Sequence, residues 1–338
     1  MIKIKLSDEN ISRIKAFLNS ENYKTSFSKS EMWKEFGSSS KVTFEGSNVV
    51  IHGDSGLYLS KLNPLRKFLF KLKNLIINFN RLPLYLSYQK AFDLVMQNKQ
   101  VRGKKQFDFN IAPQHKIFKN FNEIKKDPCF KDFDFEYYET KHYYLFNILR
   151  TYINFDNVTN VMEIGGGSGH FSTLINHHHS NIKTYIDIDI PETIIFNICF
   201  IMNFFPDKKI CLPNEANKEN IYKNDFVFLT PNQINLIKDN SIDLSINTAS
   251  FAEMTKKDIS IYFDLIQRTS KKNGYFLNHN RVHKNPEGKN DQANKNLEPN
   301  FFAEYPYKNN KVVIYDICRL VQLLEKDPFM IRLEQIDK

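Results

Sequence analysis

The stretch VMEIGGGSGH, residues 161–170, most strongly constrains what this chain can fold into. A short apolar run that breaks into glycines and then into helix-compatible residues predicts a strand, a tight turn and a helix. Glycine takes positive φ without steric cost, and its missing side chain lets backbone N–H groups and the start of a helix approach a ligand closely. The segment therefore predicts a ligand-binding turn in an α/β sheet.

The glycine spacing differs from the dinucleotide fingerprint G-x-G-x-x-G, because Gly165, Gly166, Gly167 and Gly169 form G-G-G-x-G. Glu163 stands just before them, where a carboxylate would repel a pyrophosphate and suit a cationic ligand. A dinucleotide site and a glycine turn without any ligand remain the alternatives, since one glycine loop is weak evidence.

A second acidic position supports a ligand site. TYIDIDIPE, residues 184–192, places Asp189 where the next strand should end. From that position a carboxylate can accept hydrogen bonds from both hydroxyls of a ribose. The sequence therefore predicts a nucleoside-containing ligand beside the glycine turn.

From residue 158 onward, apolar runs of strand length alternate with helical patterns. This alternation predicts an α/β fold, a Rossmann-like seven-stranded sheet with helices on both faces. Strands are predicted at 160–164, 183–188, 225–229, 242–247, 274–280, 311–317 and 329–336, and helices at 169–177, 192–204 and 256–270.

The first part of the chain has few strand signals. We predict that residues 1–150 form a mostly helical accessory or substrate lobe and that residues 151–338 form the ligand-binding domain. Within the lobe, Lys41–Gly56 alternates like a small hairpin, and Ser28–Glu35 resembles a capped helix start. Asp134–Ile153 is predicted to be a helix with aromatic side chains on the side that faces the ligand.

The positive charge is concentrated in residues 61–105, which hold eleven Lys or Arg residues and one acid, Asp93. Apolar residues recur there at helical spacing, which is typical of a basic amphipathic helix. The segment has three interpretations. It is an ordinary amphipathic helix with its charged face in solvent and its apolar face packed on the protein, a surface that contacts an anionic membrane or a phosphorylated acceptor, or a surface that binds nucleic acid. No recognised nucleic-acid motif accompanies the charge, so no nucleic acid is expected.

Composition and cysteine spacing set the wider limits. The chain has 338 residues, 41% of them apolar, which is enough for a substantial core. It shows no apolar leader and no membrane-length stretch, so we expect a cytoplasmic protein. Its four cysteines are far apart and form no C-x-x-C pair, so neither a zinc site nor a disulfide framework is indicated.

Two further polar segments follow predicted strands. SIDLSINTASFAEM, residues 241–254, ends the fourth strand, and YFLNHNR, residues 275–281, ends the fifth. Ligands of open α/β sheets bind beyond the carboxyl ends of the strands. We therefore expect both segments to face the ligand.

Taken together, EIGGGSG, the D-I-P-E of Asp189–Glu192, INTASFAEM and NHNR resemble the sugar O-methyltransferases, a bacterial family associated with surface-glycan gene sets. The resemblance covers about residues 158–282, and SKSEMWKEF near the start is similar to that family's early tryptophan-containing segment. It implies a class I methyltransferase sheet whose last strand is antiparallel, with S-adenosyl-L-methionine as cofactor. It also implies that the acceptor is a hydroxyl of a sugar or of a nucleotide- or lipid-linked glycan precursor in polysaccharide biosynthesis.

The resemblance and the strand-end positions assign candidate residues. Asp189 resembles the aspartate that holds the cofactor ribose in small-molecule O-methyltransferases. His279 is the first candidate for the base and Glu253 the second, although a hydrogen-bonded strand-end histidine and a capping carboxylate are the alternatives. The predicted cofactor-binding residues are Glu163, Gly165, Gly166, Gly167, Gly169, Asp189 and Asn247, and the predicted substrate-binding residues are Ser250, Asn278, Arg281 and His142.

No required metal is predicted. His177, His178 and His179 are consecutive, and consecutive helical side chains point about 100° apart, so they cannot converge on one ion. A catalytically idle methyltransferase-fold binding subunit, and a methyltransferase that acts on another small molecule or a protein, remain alternative functions. The oligomeric state is not predictable from these patterns.

Overall fold

The computed structural model describes residues 2–24, 41–52, 137–284, 298–318, 320–321 and 328–338. The chain divides into two compact units. One comprises residues 1–57, 156–316 and 329–338, and the other comprises residues 58–155 and 317–328. The basic segment at 61–105 and the helix start at 28–35 lie outside the described residues. The accessory lobe with bounds 1–150 stays a prediction, and the described N-terminal residues belong to the unit that contains the sheet.

The first unit is built on a large, mostly parallel sheet. Among the described residues this sheet has eight strands: β4 Asn160–Ile164, β5 Thr184–Ile188, β6 Ile210–Cys211, β7 Phe226–Leu229, β8 Ile242–Thr248, β9 Ser270–Arg281, β12 Lys311–Ile317 and β13 Phe329–Gln335. Their spatial order is β12-β13-β9-β8-β4-β5-β7-β6. Two short strands, β10 His283–Lys284 and β11 Asn300–Phe301, form a separate sheet. All residues of β5 and β7 are buried, as expected for parallel strands that are covered on both faces.

Three helices of this unit connect the parallel strands. They are α4 His170–His178, α5 Pro191–Phe204 and α6 Lys256–Thr269. Helix α5 begins with a proline in its first turn, where the missing N–H costs nothing. Helix α6 begins after Thr255, whose side chain accepts a hydrogen bond from the Asp258 N–H at 3.2 Å.

The predicted α/β fold is confirmed, and the seven predicted strands are all present. The short β6 was not predicted, because a strand of two residues leaves no hydrophobic period to recognise. Strand β9 begins at Ser270, four residues before the predicted start. Its first residues include Lys271, Lys272 and Asn273, whose polarity conceals the strand. As the resemblance implies, β13 pairs with β9 in antiparallel orientation.

The order of the strands places a topological switch point beside β4. The chain passes from β4 to β5 and β7 on one side, then crosses to β8 and β9 on the other side. In open α/β sheets the ligand crevice lies outside the carboxyl ends of the strands at such a point. The crevice is therefore expected beyond Ile164, the last residue of β4, and Thr248, the last residue of β8.

A small antiparallel sheet at the start of the chain belongs to the same unit. It contains β1 Ile2–Lys5, β2 Lys41–Glu45 and β3 Asn48–His52 in the order β1-β3-β2. The β2–β3 hairpin confirms the predicted hairpin over its described residues, 41–52, and turns at Gly46, which has a φ of +58°. Strand β1 was not predicted, because its alternation of apolar and polar residues extends over only four residues.

Two N-terminal helices, α1 Asp8–Asn19 and α2 Glu21–Lys24, contact the segment between β6 and β7 of the large sheet. Arg13 of α1 donates hydrogen bonds from Nε and Nη2 to the Glu215 carboxylate at 2.8 and 2.7 Å. Asn22 of α2 donates to the Pro213 carbonyl at 2.8 Å. These bonds join residues about 200 positions apart in the chain.

The second unit is represented mainly by one helix, α3 Tyr137–Tyr152. The predicted helix at Asp134–Ile153 agrees with it where the chain is described. Within this unit the Arg150 guanidinium lies 5.4 Å from the centre of the Phe146 ring, which also packs edge-on against Phe155. The expectation that aromatic residues of this helix face the ligand stays a prediction.

In the part of the chain that the structure describes, no helix combines the length and the apolar composition of a membrane span.

Candidate active site

The glycine turn after β4 takes a left-handed backbone conformation at three of its positions, Gly165, Gly167 and Gly169. Gly165 has a φ of +73° and donates its N–H to the Ile188 carbonyl at 2.8 Å. Gly169, with a φ of +77°, immediately precedes α4. A Cβ atom on Gly165 would collide with the Ser250 side chain, and one on Gly169 would collide with the Asn197 side chain. The turn is therefore held by both its backbone conformation and its neighbours.

Two carboxylates of the D-I-D segment accept hydrogen bonds from this turn. Asp187 Oδ1 accepts from the Gly166 N–H at 3.1 Å, and its Oδ2 accepts from Asn197 Nδ2 at 2.7 Å. Asp189 Oδ2 accepts from the Gly167 N–H at 2.9 Å. Because these glycine amides point at carboxylates, a phosphate would have to displace a negative group in order to use them.

Glu163 lies beneath the turn, and only 1% of its surface is exposed. Its Oε2 accepts a hydrogen bond from the Tyr185 hydroxyl at 2.7 Å. Burial, together with the charge of Asp189, raises the pKa of Glu163 to about 7. Loss of hydration opposes the charged form of a buried carboxyl group, and a neighbouring negative charge acts in the same direction.

The other two carboxyl groups show the same direction of shift. Burial raises the pKa of Asp189 to about 7, with further contributions from Glu253 and Glu192. Burial and the charges of Asp189 and Glu163 raise the pKa of Asp187 well above its usual value. Within the described part of the chain, none of the three carboxylates forms an ion pair with Lys, Arg or His. A cationic group beside them would favour their charged forms.

Strand register aligns four positions at the carboxyl ends of neighbouring strands. Ile164 pairs with Ile188 on β5 and with Asn247 on β8, so the next residues, Gly165, Asp189 and Thr248, form one row. Thr248 pairs with His279 of β9, which extends the row. Because neighbouring strands lie about 4.8 Å apart, Asp189 and His279 are separated by roughly 14 Å.

Asn247 uses its amide within the protein. Its Nδ2 donates to the Ile164 carbonyl at 2.8 Å and to Ser250 Oγ, and its Oδ1 accepts from Asn280 Nδ2 at 2.7 Å. Both amide hydrogens are thereby engaged, so Asn247 ties the end of β8 to the end of β4. Its predicted direct contact with the cofactor stays a prediction.

Ser250 closes the turn after β8. It follows Ala249, which has an unusual φ of +65° and donates its N–H to the His279 carbonyl at 2.7 Å. Ser250 Oγ donates to the Ile164 carbonyl at 3.1 Å. These contacts give Ser250 a role in supporting the glycine turn, and its predicted contact with the substrate is untested.

Glu253 ends the short 3₁₀ helix Phe251–Glu253 at the rim of the sheet. Its carboxylate lies 3.7 Å from Lys284 Nζ and is partly exposed. It lies close enough to Asp189 for its charge to raise the pKa of that group. The charge of the second candidate base therefore acts on the predicted ribose-binding residue.

His279 and Asn278 are neighbours in β9 and point to opposite faces of the sheet, because side chains alternate along a strand. Asn278 donates from Nδ2 to the Tyr307 hydroxyl at 2.7 Å. His279 is fully buried, and its ring stacks on Phe329 at a centroid distance of 4.9 Å. The Arg281 guanidinium lies over the same Phe329 ring at 5.4 Å.

One predicted site residue belongs to the other unit. His142 lies on α3, whereas all the other predicted residues lie in the unit that contains the sheet. Its role stays a prediction.

The histidine run, residues 177–179, lies at the end of α4. His177 and His178 have their rings 5.0 Å apart at nearly right angles. Among the described residues, no three His, Cys, Asp or Glu side chains form a group that could hold a metal ion.

Several residues that support the candidate site were not among the predicted site residues. Asp187, Tyr185 and Asn197 hold the glycine turn and Glu163, and Asn280 joins Asn247 to the Ala252 N–H. The signal for Asp187 was its spacing of two residues from Asp189, which puts both on one face of a strand. Asn197 carried no comparable signal, because it lies within an apolar helix.

Comparison with known proteins gave matches only among solved structures. No protein-family model matches the chain, and no curated protein matches it. Phosphoethanolamine N-methyltransferase 1 of Haemonchus contortus, in complex with phosphoethanolamine and S-adenosylhomocysteine, is 12% identical over 54% of this chain and 40% of its own, with a TM-score of 0.34. An S-adenosylmethionine-dependent methyltransferase from Mesorhizobium loti is 11% identical over 56% of this chain and 95% of its own, with a TM-score of 0.39.

A SAM-dependent methyltransferase from Archaeoglobus fulgidus is similar in extent, with 14% identity over 57% of this chain and 94% of its own and a TM-score of 0.35. The chain spans less than half of the length of the first three structures that it matches. At these identities and scores, the function must be argued from the residues of the site.

Proposed function

We propose that this protein is an S-adenosyl-L-methionine-dependent O-methyltransferase that acts on a sugar hydroxyl. The observation that carries the proposal is the group of three carboxylates, Glu163, Asp187 and Asp189, around the glycine turn at the switch point of the sheet. None of them has a cationic partner among the described residues. A ligand with a sulfonium and an ammonium group supplies the missing positive charge, whereas a dinucleotide brings further negative charge.

The residues present fit this cofactor. Open space adjoins the turn at Gly167, where a Cβ atom would meet nothing within 4 Å, whereas Gly165 and Gly169 pack against the Ser250 and Asn197 side chains. Asp189, at the end of β5, would accept hydrogen bonds from the ribose hydroxyls, while Asp187 and Asn197 would hold the turn. Glu163 would contribute negative charge beneath the turn. Asn247 would act as a positioning residue, because its amide is already engaged.

When bound, the cofactor supplies a methyl group on a positively charged sulfur, which leaves as a neutral thioether. The protein has to align the acceptor oxygen with that methyl group and to exclude water. The proton of the acceptor hydroxyl must leave as the oxygen–carbon bond forms, so a base within hydrogen-bonding distance helps. We assign this role to His279, which lies in the same row as Asp189, with Glu253 as the second candidate.

The sugar acceptor rests on two arguments. One is the sequence resemblance of the strand-end segments to sugar O-methyltransferases. The other is the polarity of the rim, where Glu253 and Lys284 form an ion pair and Arg281 is the last residue of β9. A nucleotide- or lipid-linked glycan precursor would suit the positive side chains, and the cytoplasmic location stays a prediction.

The test is a calorimetric titration with S-adenosyl-L-methionine and with NAD, followed by mass spectrometry of nucleotide-sugar candidates. We expect the methyl donor to bind, NAD not to bind, and one candidate to gain one methyl group. Binding of NAD without the methyl donor would refute the cofactor assignment. Methylation of a protein or a non-sugar compound, with no sugar accepted, would refute the acceptor.

The assignment of the base has its own test. His279→Ala should reduce kcat at least about tenfold while it leaves the Kd of the methyl donor nearly unchanged, because a base acts only on the acceptor proton. His279→Gln, which preserves more of the side-chain volume, should behave in the same way. His177→Ala, at an exposed position of α4, serves as the matched control. An undiminished rate in both His279 variants would eliminate this residue as the base.

A further inference from the structure

Arg281 is held in a defined position at the carboxyl end of β9. It lies two residues beyond His279, and so on the same face of the strand. Phe329, on the neighbouring β13, stacks on the His279 ring at 4.9 Å and lies under the Arg281 guanidinium at 5.4 Å. One aromatic ring therefore orients both the candidate base and the arginine.

The positive charge of Arg281 is not balanced by any described residue. Its guanidinium forms no ion pair with any acid in the described ranges, and its Nε is buried without a hydrogen-bond partner. The nearby rim acid, Glu253, faces Lys284 at 3.7 Å. A buried donor without an acceptor destabilises the folded protein, so its presence at a ligand crevice indicates that a ligand supplies the acceptor.

We propose that Arg281 forms an anion-binding subsite that receives a phosphate or carboxylate group of the acceptor. This inference rests on the proposed function and narrows its substrate class to anionic sugars. The guanidinium fork matches the geometry of both oxyanions and can bind them with two parallel hydrogen bonds. Lys284, three residues further along the chain, pairs with Glu253 at 3.7 Å, so the charge of Arg281 is the one left for an anion.

The spacing of His279 and Arg281 agrees with one sugar residue. Positions two apart on a strand are separated by roughly 7 Å. A hydroxyl and an anionic substituent on the same sugar ring are separated by a comparable distance. With its anionic group at Arg281, such a sugar would present a hydroxyl toward His279.

The test uses the full-length protein saturated with S-adenosylhomocysteine and three probes: glucose 1-phosphate, glucuronate and glucose. Ligand-observed NMR titration measures the binding of each probe. We expect at least one anionic probe to bind about tenfold more tightly than glucose, and the phosphate and carboxylate arms identify which oxyanion is preferred. Arg281→Gln should reduce the binding of that probe to the level of glucose, and Arg281→Lys should give an intermediate value.

Lys308→Gln is the charge-matched control, because this exposed lysine pairs with Asp264 on the surface of the same unit. Thermal unfolding of each variant shows whether the fold is intact, and Arg281→Lys carries the test if Arg281→Gln does not fold. Equal binding of anionic and neutral probes, or equal binding by wild type and the Arg281 variants, would overturn the subsite.

The two proposals fail in distinguishable ways. If anionic sugars bind through Arg281 and none is methylated, the subsite stands and sugar methylation fails. If neutral sugars are methylated with the same KM by wild type and Arg281→Gln, sugar methylation stands and the subsite fails.

Discussion

Individual glycines decide whether the turn after β4 can form. Gly167 and Gly169 both have positive φ, +58° and +77°. Their surroundings differ, because a Cβ atom on Gly167 would meet nothing within 4 Å, whereas one on Gly169 would collide with Asn197. Alanine variants at these two positions therefore separate the effect of the left-handed backbone from the effect of the collision with Asn197.

Gly169→Ala should therefore destabilise the protein more than Gly167→Ala. The Gly167 variant should lose about 1 kcal/mol of unfolding free energy through its left-handed backbone alone. The Gly169 variant should lose roughly 2–4 kcal/mol, because Asn197 and its bond to Asp187 must also move. Urea unfolding of both variants measures the difference, and equal losses would show that the Asn197 contact is unimportant.

In the proposed function, Asp189 is the residue on which binding of the cofactor depends most. Asp189→Ala should weaken the binding of S-adenosyl-L-methionine by about 1–3 kcal/mol, because charge-assisted hydrogen bonds to the ribose are lost. Asp189→Asn separates the loss of charge from the loss of the side chain, and Asp207→Ala, at an exposed position, is the control. Calorimetric titration measures the change, and unchanged affinity would mean that the ribose binds elsewhere.

At the scale of elements, β4 and β5 place their acidic residues on one face of the sheet. Glu163 pairs in register with Asp187, and the period of two puts Tyr185 and Asp189 on the same face of β5. The Tyr185 hydroxyl stabilises the charged form of Glu163, but burial outweighs it, and the pKa rises from 4.5 to about 7. Burial of the ionised carboxyl group therefore lowers the free energy of unfolding of the protein without ligand.

That cost predicts a dependence of stability on pH. The folded pKa of Glu163 exceeds the unfolded value, so the folded state binds its proton more tightly, and the unfolding free energy falls as the pH rises from about 4.5 to about 7. By the relation of about 1.4 kcal/mol per pKa unit, the loss above pH 7 is roughly 3 kcal/mol for an isolated group. Asp189 shifts in the same direction.

Glu163→Gln should flatten this dependence, because the amide does not ionise and can still accept the Tyr185 hydrogen bond. Urea unfolding at pH 5 and pH 8 measures the effect, with Glu219→Gln at an exposed position as the control. If the variant lost as much stability over this interval as the wild type, the assignment of the shift to Glu163 would be wrong.

At the scale of the whole molecule, the first residues of the chain are joined to the middle of it. Arg13 of α1 pairs with the Glu215 carboxylate through two nitrogens, and both side chains are only about 30% exposed. The pair is the main charged contact between the N-terminal helix and the segment that follows β6, among the residues that the structure describes.

Arg13→Ala should lower the unfolding free energy by about 1–2 kcal/mol, because partial burial strengthens the charged hydrogen bonds while solvent still screens them. Arg13→Lys should recover only part of the loss, since lysine lacks the planar fork that binds a carboxylate twice. Urea unfolding measures both variants. Lys218→Ala, at an exposed position, is the control. A loss of unfolding free energy in Arg13→Ala no larger than in this control would show that the Arg13–Glu215 pair contributes nothing to stability.

Much of the sheet was predictable, because its strands are apolar runs separated by glycine, proline and polar turns. The starts of α5 and α6 were predictable for a different reason. Pro191 and Thr255 are residue types that favour the first turn and the N-cap of a helix. The two-residue β6 and the polar beginning of β9 were not, because neither carries a hydrophobic period. Their positions depend on pairing with a neighbouring strand.

By itself, the sequence determined the α/β class, the glycine turn and the acidic strand end, because period, glycine spacing and strand length are local properties. Only the tertiary structure decided which polar side chains meet. It placed His279 beside Phe329 and Arg281, turned Asn278 toward Tyr307, and added Asp187 and Asn197 to the glycine turn. The physical reason is that strand register and helix packing join residues far apart in the chain, and a linear pattern does not encode those pairings directly.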